Sequence, residues 1–366
     1  MKKLGIIITN RTNYSKLKHV MFYLNKKVKL VNILSSSSIL EKFGKPYEDL
    51  KRDNFKIQKK INCLLSDDSH SSMANTSGLS MIKHADYFSE IKIDGLLAVG
   101  DRFDTFSAVY AAKLMNIKIF HIQGGEKSGS IDNVIRDLLS RISDYHFVST
   151  DKSKENLIKL NIPKEKIFNF GCPSIDYIQK IKTKTRFSQK YFIKKFKHSF
   201  NVNMNEKYFI LISHPDTTNP ENFDVQKVLS ALLTFKIKIF IFYPNNDAKN
   251  NKILNGLNKY KNNKNLIFIK HMPIEDYIYL MKNSLAVVGN SSSGIRETGS
   301  FGIPNINIGT RQINRERNEN TIDVVCNKQK IIDSIKHGIK NKRIKKNIYY
   351  KKNTSQKIAQ KIFEKL

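Results

Sequence analysis

No apolar run in the 366 residues approaches the ~18 that a membrane-spanning helix needs. Cysteine is scarce: Cys63, Cys172 and Cys326 lie far apart, which gives neither a zinc spacing nor a disulfide framework and fits a reducing cytosol. The common nucleotide fingerprints are missing, with no G-x-G-x-x-G and no G-x-x-x-x-G-K-[ST]. No Asp-x-Asp follows a strand in the second half, and no two histidines have metal-ligand spacing. His84, His146 and His198 read as ordinary core or surface histidines. The start, MKKLGIIITN, lacks a long apolar region and a cleavage site, so it reads as a first strand and not as a targeting signal. No unit of 20–50 residues repeats. Acidic side chains are outnumbered, 32 against 64 basic ones, for a formal net charge of +32. Such a charge suits nucleic acid or a lipid surface. It is spread along the chain, however, with local peaks at 180–198 and 336–352. No recognition-helix, zinc-finger or aromatic RNP-type pattern accompanies it. Lys, Asn and Ile are enriched throughout, as an AT-rich genome would dictate.

What is present is a globular composition, 40% hydrophobic, in a chain long enough for two cored domains. Strands at 4–9, 28–34, 95–99, 117–122 and 145–150, and a short one at 167–170, alternate with amphipathic helices. The pattern begins again at Tyr208, with strands at 208–213, 237–243, 266–269, 285–288 and 305–308. Residues 62–80, rich in Ser and Asp, read as a mobile loop. Alternation of this kind predicts an α/β fold with two doubly wound Rossmann-like domains facing a cleft. The boundaries are 1–176, a basic hinge at 177–205, a second domain at 206–340 and a basic helical tail at 341–366.

Ligands of such sheets bind beyond the carboxyl ends of the strands. There the first half offers Arg11, Ser15, Asp101, Arg102, Gln123, Glu126 and Asp132. The second offers His214, Asn245, Asp247, Ser291, Ser292, Glu297 and Arg311. Each alone has a plain structural explanation: Asp101 and Asp132 as helix caps, His214 beside Pro215 as a turn residue, Gly124–Gly125 as a tight turn. Shared placement after strands is what favours function. The richest stretch is 285–317, where a strand runs into Gly289 and a serine triplet that opens a helix. Outward N–H groups, a helix dipole and the hydroxyls of Ser291, Ser292 and Ser293 make an anion site. Glu297, one turn on, is placed to accept from a ribose diol. Arg311 and Arg315 carry forked donors suited to a diphosphate.

Taken together, nine segments resemble, in order, the hydrolysing UDP-N-acetylglucosamine 2-epimerases of sialic-acid synthesis. They are NRTNYSKL (10–17), GDRFD (100–104), HIQGGEKSGSID (121–132), GCPSID (171–176), HPDTT (214–218), PNNDA (244–248), KHMP (270–273), GNSSSGIRE (289–297) and GTRQINRE (309–316). The resemblance implies a GT-B fold, no metal and no cofactor. It also implies a UDP-sugar substrate, a homo-oligomer (dimer or tetramer), a cytoplasmic location, and neither a specific nucleic-acid partner nor a membrane span. Carried over by motif, Arg11, Ser15, Ser291, Ser292, Glu297 and Arg311 would hold UDP, with Asn245 and the backbone around Met272 lining the nucleotide pocket. Arg102 and His214 would sit near the diphosphate and the sugar. Asp101, Gln123 and Asp132 occupy the family's acid/base positions.

Three residues depart from the family pattern. Gln123 stands where many members carry Glu, Asp137 where His is usual, and Ser38 where a loop His is common. A glutamine is neutral and takes no proton, so proton transfer falls to Asp101, Asp132 or His214. A third carboxylate at Asp137 would raise the pKa values around it. The leading reading is release of UDP and N-acetylmannosamine from UDP-N-acetylglucosamine. The alternatives are the same reaction on UDP-2,4-diacetamido-2,4,6-trideoxyglucose, a non-hydrolysing epimerase, a GT-B glycosyltransferase, and a UDP-sugar-binding protein without catalysis.

Overall fold

The computed structural model describes residues 1–182, 194, 197, 200, 206–341 and 346–366. It contains two compact units, one of residues 1–177 with 349–366 and the other of residues 178–348.

In the first unit, seven strands form one parallel sheet: β1 (Lys3–Ile8), β2 (Lys29–Ser35), β3 (Ile57–Ile61), β4 (Gly95–Val99), β5 (Ile119–Ile122), β6 (Tyr145–Val148) and β7 (Ile167–Asn169). Their order is β3-β2-β1-β4-β5-β6-β7. Both faces are covered, so the central strands read as unbroken apolar runs. Leu4, Ile6 and Ile8 of β1 face one core with Leu97 and Val99 of β4. Ile7, Leu96 and Ala98 face the other. Helix Arg11–Leu24 covers the first face, together with helix Thr354–Lys365, which contributes Ile358, Ala359 and Ile362. Helices His70–Glu90, Phe103–Leu114 and Asp132–Ile142 cover the second.

The second unit has a six-stranded parallel sheet: β8 (Tyr208–Ile212), β9 (Lys238–Phe242), β10 (Leu266–Ile269), β11 (Ala286–Gly289), β12 (Asn305–Ile308) and β13 (Thr321–Val324). The order is β10-β9-β8-β11-β12-β13. Phe209, Leu211, Ile239, Ile241, Val288 and Ile306 pack on helices Val225–Leu233 and Lys328–Lys340. On the opposite face the Tyr208 hydroxyl donates to the Leu280 carbonyl at 2.8 Å.

Strand order reverses between β1 and β4 in the first sheet and between β8 and β11 in the second. A reversal of this kind sends the adjoining chains to opposite faces and opens a crevice at the strand ends. The expected α/β, doubly wound class is therefore what the chain adopts, twice.

Two expectations need correction, and two strands were missed. Residues 70–80 are no loop but the first half of helix His70–Glu90, capped by Ser69, whose hydroxyl accepts from Ser72 N–H. Its buried face includes Ser72, Thr76, Ser80 and His84, a polar set at helical spacing that a search for apolar periodicity passes over. Strands β3 and β13 escaped notice because Gln58, Lys59, Lys60 and Asp323 interrupt short edge segments. The stretch 341–366 does not stand apart as a tail, since residues 349–366 belong to the first unit. Of the expected hinge, residues up to Lys182 continue helix Pro173–Lys182, and most of the remainder, with His198, lies outside the described residues.

Candidate active site

The candidate residues follow strand ends, at the two switch points and on the strands beside them. In the first unit, Arg11 opens the helix after β1. Asn10 caps that helix, and Asn13 reaches back to Thr9 N–H at 2.9 Å and across to the Val99 carbonyl at 3.2 Å. The loops after β1 and β4 are thereby tied together. Arg11 and Ser15 are half-buried, and the Ser15 hydroxyl donates to the Thr12 carbonyl of its own helix at 2.9 Å. After β4 come Asp101, half-buried, and Arg102, buried with its Nε 3.4 Å from Asp104 Oδ1. Asp104 is wholly buried and also accepts from the Ser36 hydroxyl at 2.6 Å.

The centre of this cluster is a residue to which the sequence analysis gave no role. Arg136, fully buried, donates to the Asp101 carboxylate, to the Glu126 carbonyl at 2.6 Å and to the Ser128 hydroxyl at 3.3 Å. Burial opposes its charge, but Asp101, Glu126 and Asp132 outweigh that and hold its pKa above the ordinary arginine value. One signal was available. Arg136 lies four residues after Asp132 and flanks Ile135 and Leu139, so a helix turns it inward.

The departures have definite surroundings. Gln123 is buried in a left-handed backbone conformation (φ 71°). Its Nε2 donates to Cys172 Sγ at 3.4 Å, while its buried Oε1 has no hydrogen-bond partner. Asp137 is paired with Lys127 at 2.8 Å, which offsets the extra charge. Ser38 is wholly buried, its hydroxyl on the carbonyls of Ile8 (2.8 Å) and Ser35 (2.7 Å), so it pins a loop to the end of β1. Asp132 begins its helix, half-buried. Beneath the cluster, His121 Nε2 lies 2.8 Å from the Gly100 carbonyl. Burial lowers the pKa of His121 to about 4, of His84 to about 4 and of His146 to about 3, so all three are neutral.

In the second unit, β8 leads into His214 and β11 into the serine triplet. Gly289 has φ +135°, and a Cβ there would fall 2.0 Å from the Ile212 carbonyl oxygen. A Cβ on Gly294 would fall 2.1 Å from Asn305 Oδ1, so the helix seats directly on β12. That helix, Ser292–Arg296, is only five residues long and runs into a 3₁₀ turn. Its dipole is correspondingly small, so an anion held here would rest on hydroxyls, N–H groups and arginines rather than on a macrodipole. Ser291 caps the helix by accepting from Ser293 N–H at 3.3 Å, and Ser291, Ser292 and Ser293 are all half-buried. Glu297 is buried at its end. Arg311 donates to the Asn290 carbonyl at 3.3 Å and lies 3.9 Å from Asp247. Arg315 donates to Gln312 Oε1 at 2.8 Å. His214 is buried, with Nδ1 accepting from Asn245 N–H at 3.2 Å; Asn245 and Met272 are half-buried on neighbouring loops. Asp216 accepts from Thr218 N–H, Asn219 N–H and the Thr310 hydroxyl, and so fastens the HPD loop to the GTR loop.

Each unit thus gathers its own set. The first holds two carboxylates, Asp101 and Asp132, near the buried guanidinium of Arg136, groups able to take and return protons. The second holds hydroxyls, a histidine and arginines at one strand-end crevice, which suits a phosphorylated ligand. Among the described residues no group of three or more His, Cys, Asp or Glu side chains has metal-site geometry, and no helix is long and apolar enough to cross a membrane.

The chain is 31% identical over 98% of its length to the UDP-N,N'-diacetylbacillosamine 2-epimerase (hydrolyzing) of Legionella pneumophila, covering 95% of that protein. It is 30% identical over 94% to the GDP/UDP-N,N'-diacetylbacillosamine 2-epimerase (hydrolyzing) of Campylobacter jejuni, covering 89% of it. Its fold matches that of UDP-GlcNAc 2-epimerase from Neisseria meningitidis, solved bound to UDP-GlcNAc, with a TM-score of 0.79, 22% identity and all of both chains covered. The architecture is accordingly of the GT-B type. The sequence model of UDP-N-acetylglucosamine 2-epimerase matches residues 24–363, and the chain belongs to that family.

Proposed function

We propose that this chain is a hydrolysing 2-epimerase whose substrate is UDP-N,N'-diacetylbacillosamine. The carrying observation is that two relatives at 30% identity or more, spanning 94% or more of the chain, bear that activity in their names. In this reading the preferred substrate shifts from UDP-N-acetylglucosamine to a diacetamido sugar, with release of UDP and the 2-epimeric sugar. UDP-N-acetylglucosamine itself, with N-acetylmannosamine as product, is the second reading, favoured by the nine family segments in order.

The chemistry assigns work to each residue. A sugar C2 proton is not acidic, so it leaves only as the C1–O bond to UDP breaks. The developing charge on the diphosphate calls for donors, which Arg311, Arg102, His214, Ser291 and Ser292 would provide. Glu297 would accept from the ribose, with Arg11, Ser15, Asn245 and the backbone around Met272 lining the nucleotide. A base takes the C2 proton to give a 2-acetamidoglucal, water adds at C1, and an acid returns a proton to C2 from the other face. Asp101 and Asp132 are the two carboxylates for those tasks. Gln123 takes no proton and would serve as a hydrogen-bonding group. The reading also includes a cytoplasmic location and a homo-oligomer, which light scattering would measure.

The test is to incubate the protein with each UDP-sugar in D₂O and follow products by NMR. UDP release with deuterium at C2 of the freed sugar supports the reaction, and faster turnover of the diacetamido sugar supports the substrate. UDP release without deuterium at C2 would point to plain hydrolysis.

A further inference from the structure

Asn290, between Gly289 and the serine triplet, is completely buried and uses every polar atom it has. Its Oδ1 accepts from the His214 N–H at 2.8 Å, and its Nδ2 donates to the His214 carbonyl at 2.8 Å. The side chain therefore pairs with the His214 backbone in both directions, as a neighbouring strand would. Its own N–H donates to the Ile212 carbonyl at 3.2 Å. Its carbonyl accepts from Arg311 Nη1 at 3.3 Å and from Gln312 Nε2 at 3.1 Å. Three chain segments, HPD, GNSSS and GTRQ, meet on this one residue. A packing role alone would be met by an apolar side chain of similar size. A buried amide satisfied on all sides specifies one arrangement of its neighbours.

The ring of His214 is constrained in turn. Its Nδ1 accepts from the Asn245 N–H at 3.2 Å. An Nδ1 that accepts carries no proton, so a neutral ring has its proton on Nε2.

We propose that Asn290 is a positioning residue which fixes His214 as an Nε2–H donor and brings Arg311 to the same crevice. His214 then addresses the leaving diphosphate as a hydrogen-bond donor and does not accept the C2 proton. The diphosphate part rests on the function proposed above; the tautomer part does not.

The test uses the full chain labelled with ¹⁵N-histidine, with His214 signals assigned from a His214→Gln variant. The wild type is expected to show the Nε2-protonated neutral tautomer without any ligand. Asn290→Ala should give mixed tautomers and weaken UDP binding, measured by calorimetry, about tenfold or more. Asn290→Asp keeps the acceptor for His214 N–H but sets an oxygen against its carbonyl, and should fall between the two. Circular dichroism and thermal unfolding report whether each variant is folded. If Asn290→Ala does not fold, Asn290→Asp decides by the same two readouts. An Nδ1-protonated ring in the wild type overturns the proposal. So does a folded variant with unchanged tautomer and unchanged UDP affinity. A wild type that shows the expected tautomer yet binds no UDP refutes the assigned function and leaves the positioning of His214 standing.

Discussion

At the scale of single residues, one pairing in the first unit joins Asp101 to the buried Arg136. Asp101→Asn keeps the shape and one acceptor but removes the charge. Turnover should fall by about 10² or more, the usual weight of an acid/base group, while UDP affinity by calorimetry stays near wild type. Near-normal turnover would remove Asp101 from the mechanism. Gln123→Glu restores a carboxylate where many family members have one, and the buried Oε1 without a partner shows that the site leaves an oxygen there unused. Its rate should equal or exceed that of the wild type. A tenfold loss, about 1.4 kcal/mol of barrier, would show that the amide has its own task. The positions of Asp101, Gln123, Asp132 and His214 beyond strand ends were legible because such placement is written in the local pattern. Arg136 and Asn290 were harder to find. Their importance comes from partners many positions away, Asp101 for one and Gln312 and His214 for the other.

At the scale of elements, the helix Thr354–Lys365 deserves a place in the first unit's core and not at its margin. Ile358, Ala359 and Ile362 are fully buried against Leu17, Val20 and the first sheet. Ile362→Ala should cost about 2–5 kcal/mol, the range for emptying a packed core position, read from denaturant unfolding of the full chain. A cost near zero would mean that the helix is not held there. Its helical character was read from the sequence, whereas its address was not, because a helical pattern never says against what the helix packs. Helix His70–Glu90 shows the converse. Its inward residues Ser72, Thr76, Ser80 and His84 are polar, so its burial was hidden from any apolar count. The central strands were legible for the opposite reason: buried on both faces, they are apolar at every step.

At the scale of the whole molecule, three neutral, buried histidines give stability a pH dependence. His121 and His84 have pKa values near 4 and His146 near 3 because burial disfavours their charge, against 6.5 in an unfolded chain. Below pH 6.5 the unfolded chain binds protons that the folded one refuses. Stability is therefore fully present above pH 6.5 and declines as pH falls toward 4, by up to about 1.4 kcal/mol per pH unit for each histidine. The thermal midpoint should drop clearly between pH 7 and pH 5, and a flat profile would contradict the buried neutral state. The return of residues 349–366 to the first unit has a consequence for biosynthesis. A ribosome releases this segment only after residues 178–348 have emerged. Until then the nascent first unit lacks Ile358, Ala359 and Ile362, and one side of its sheet is incompletely clad. A premature stop late in the message would therefore injure not the half being translated at that moment, but the one made first.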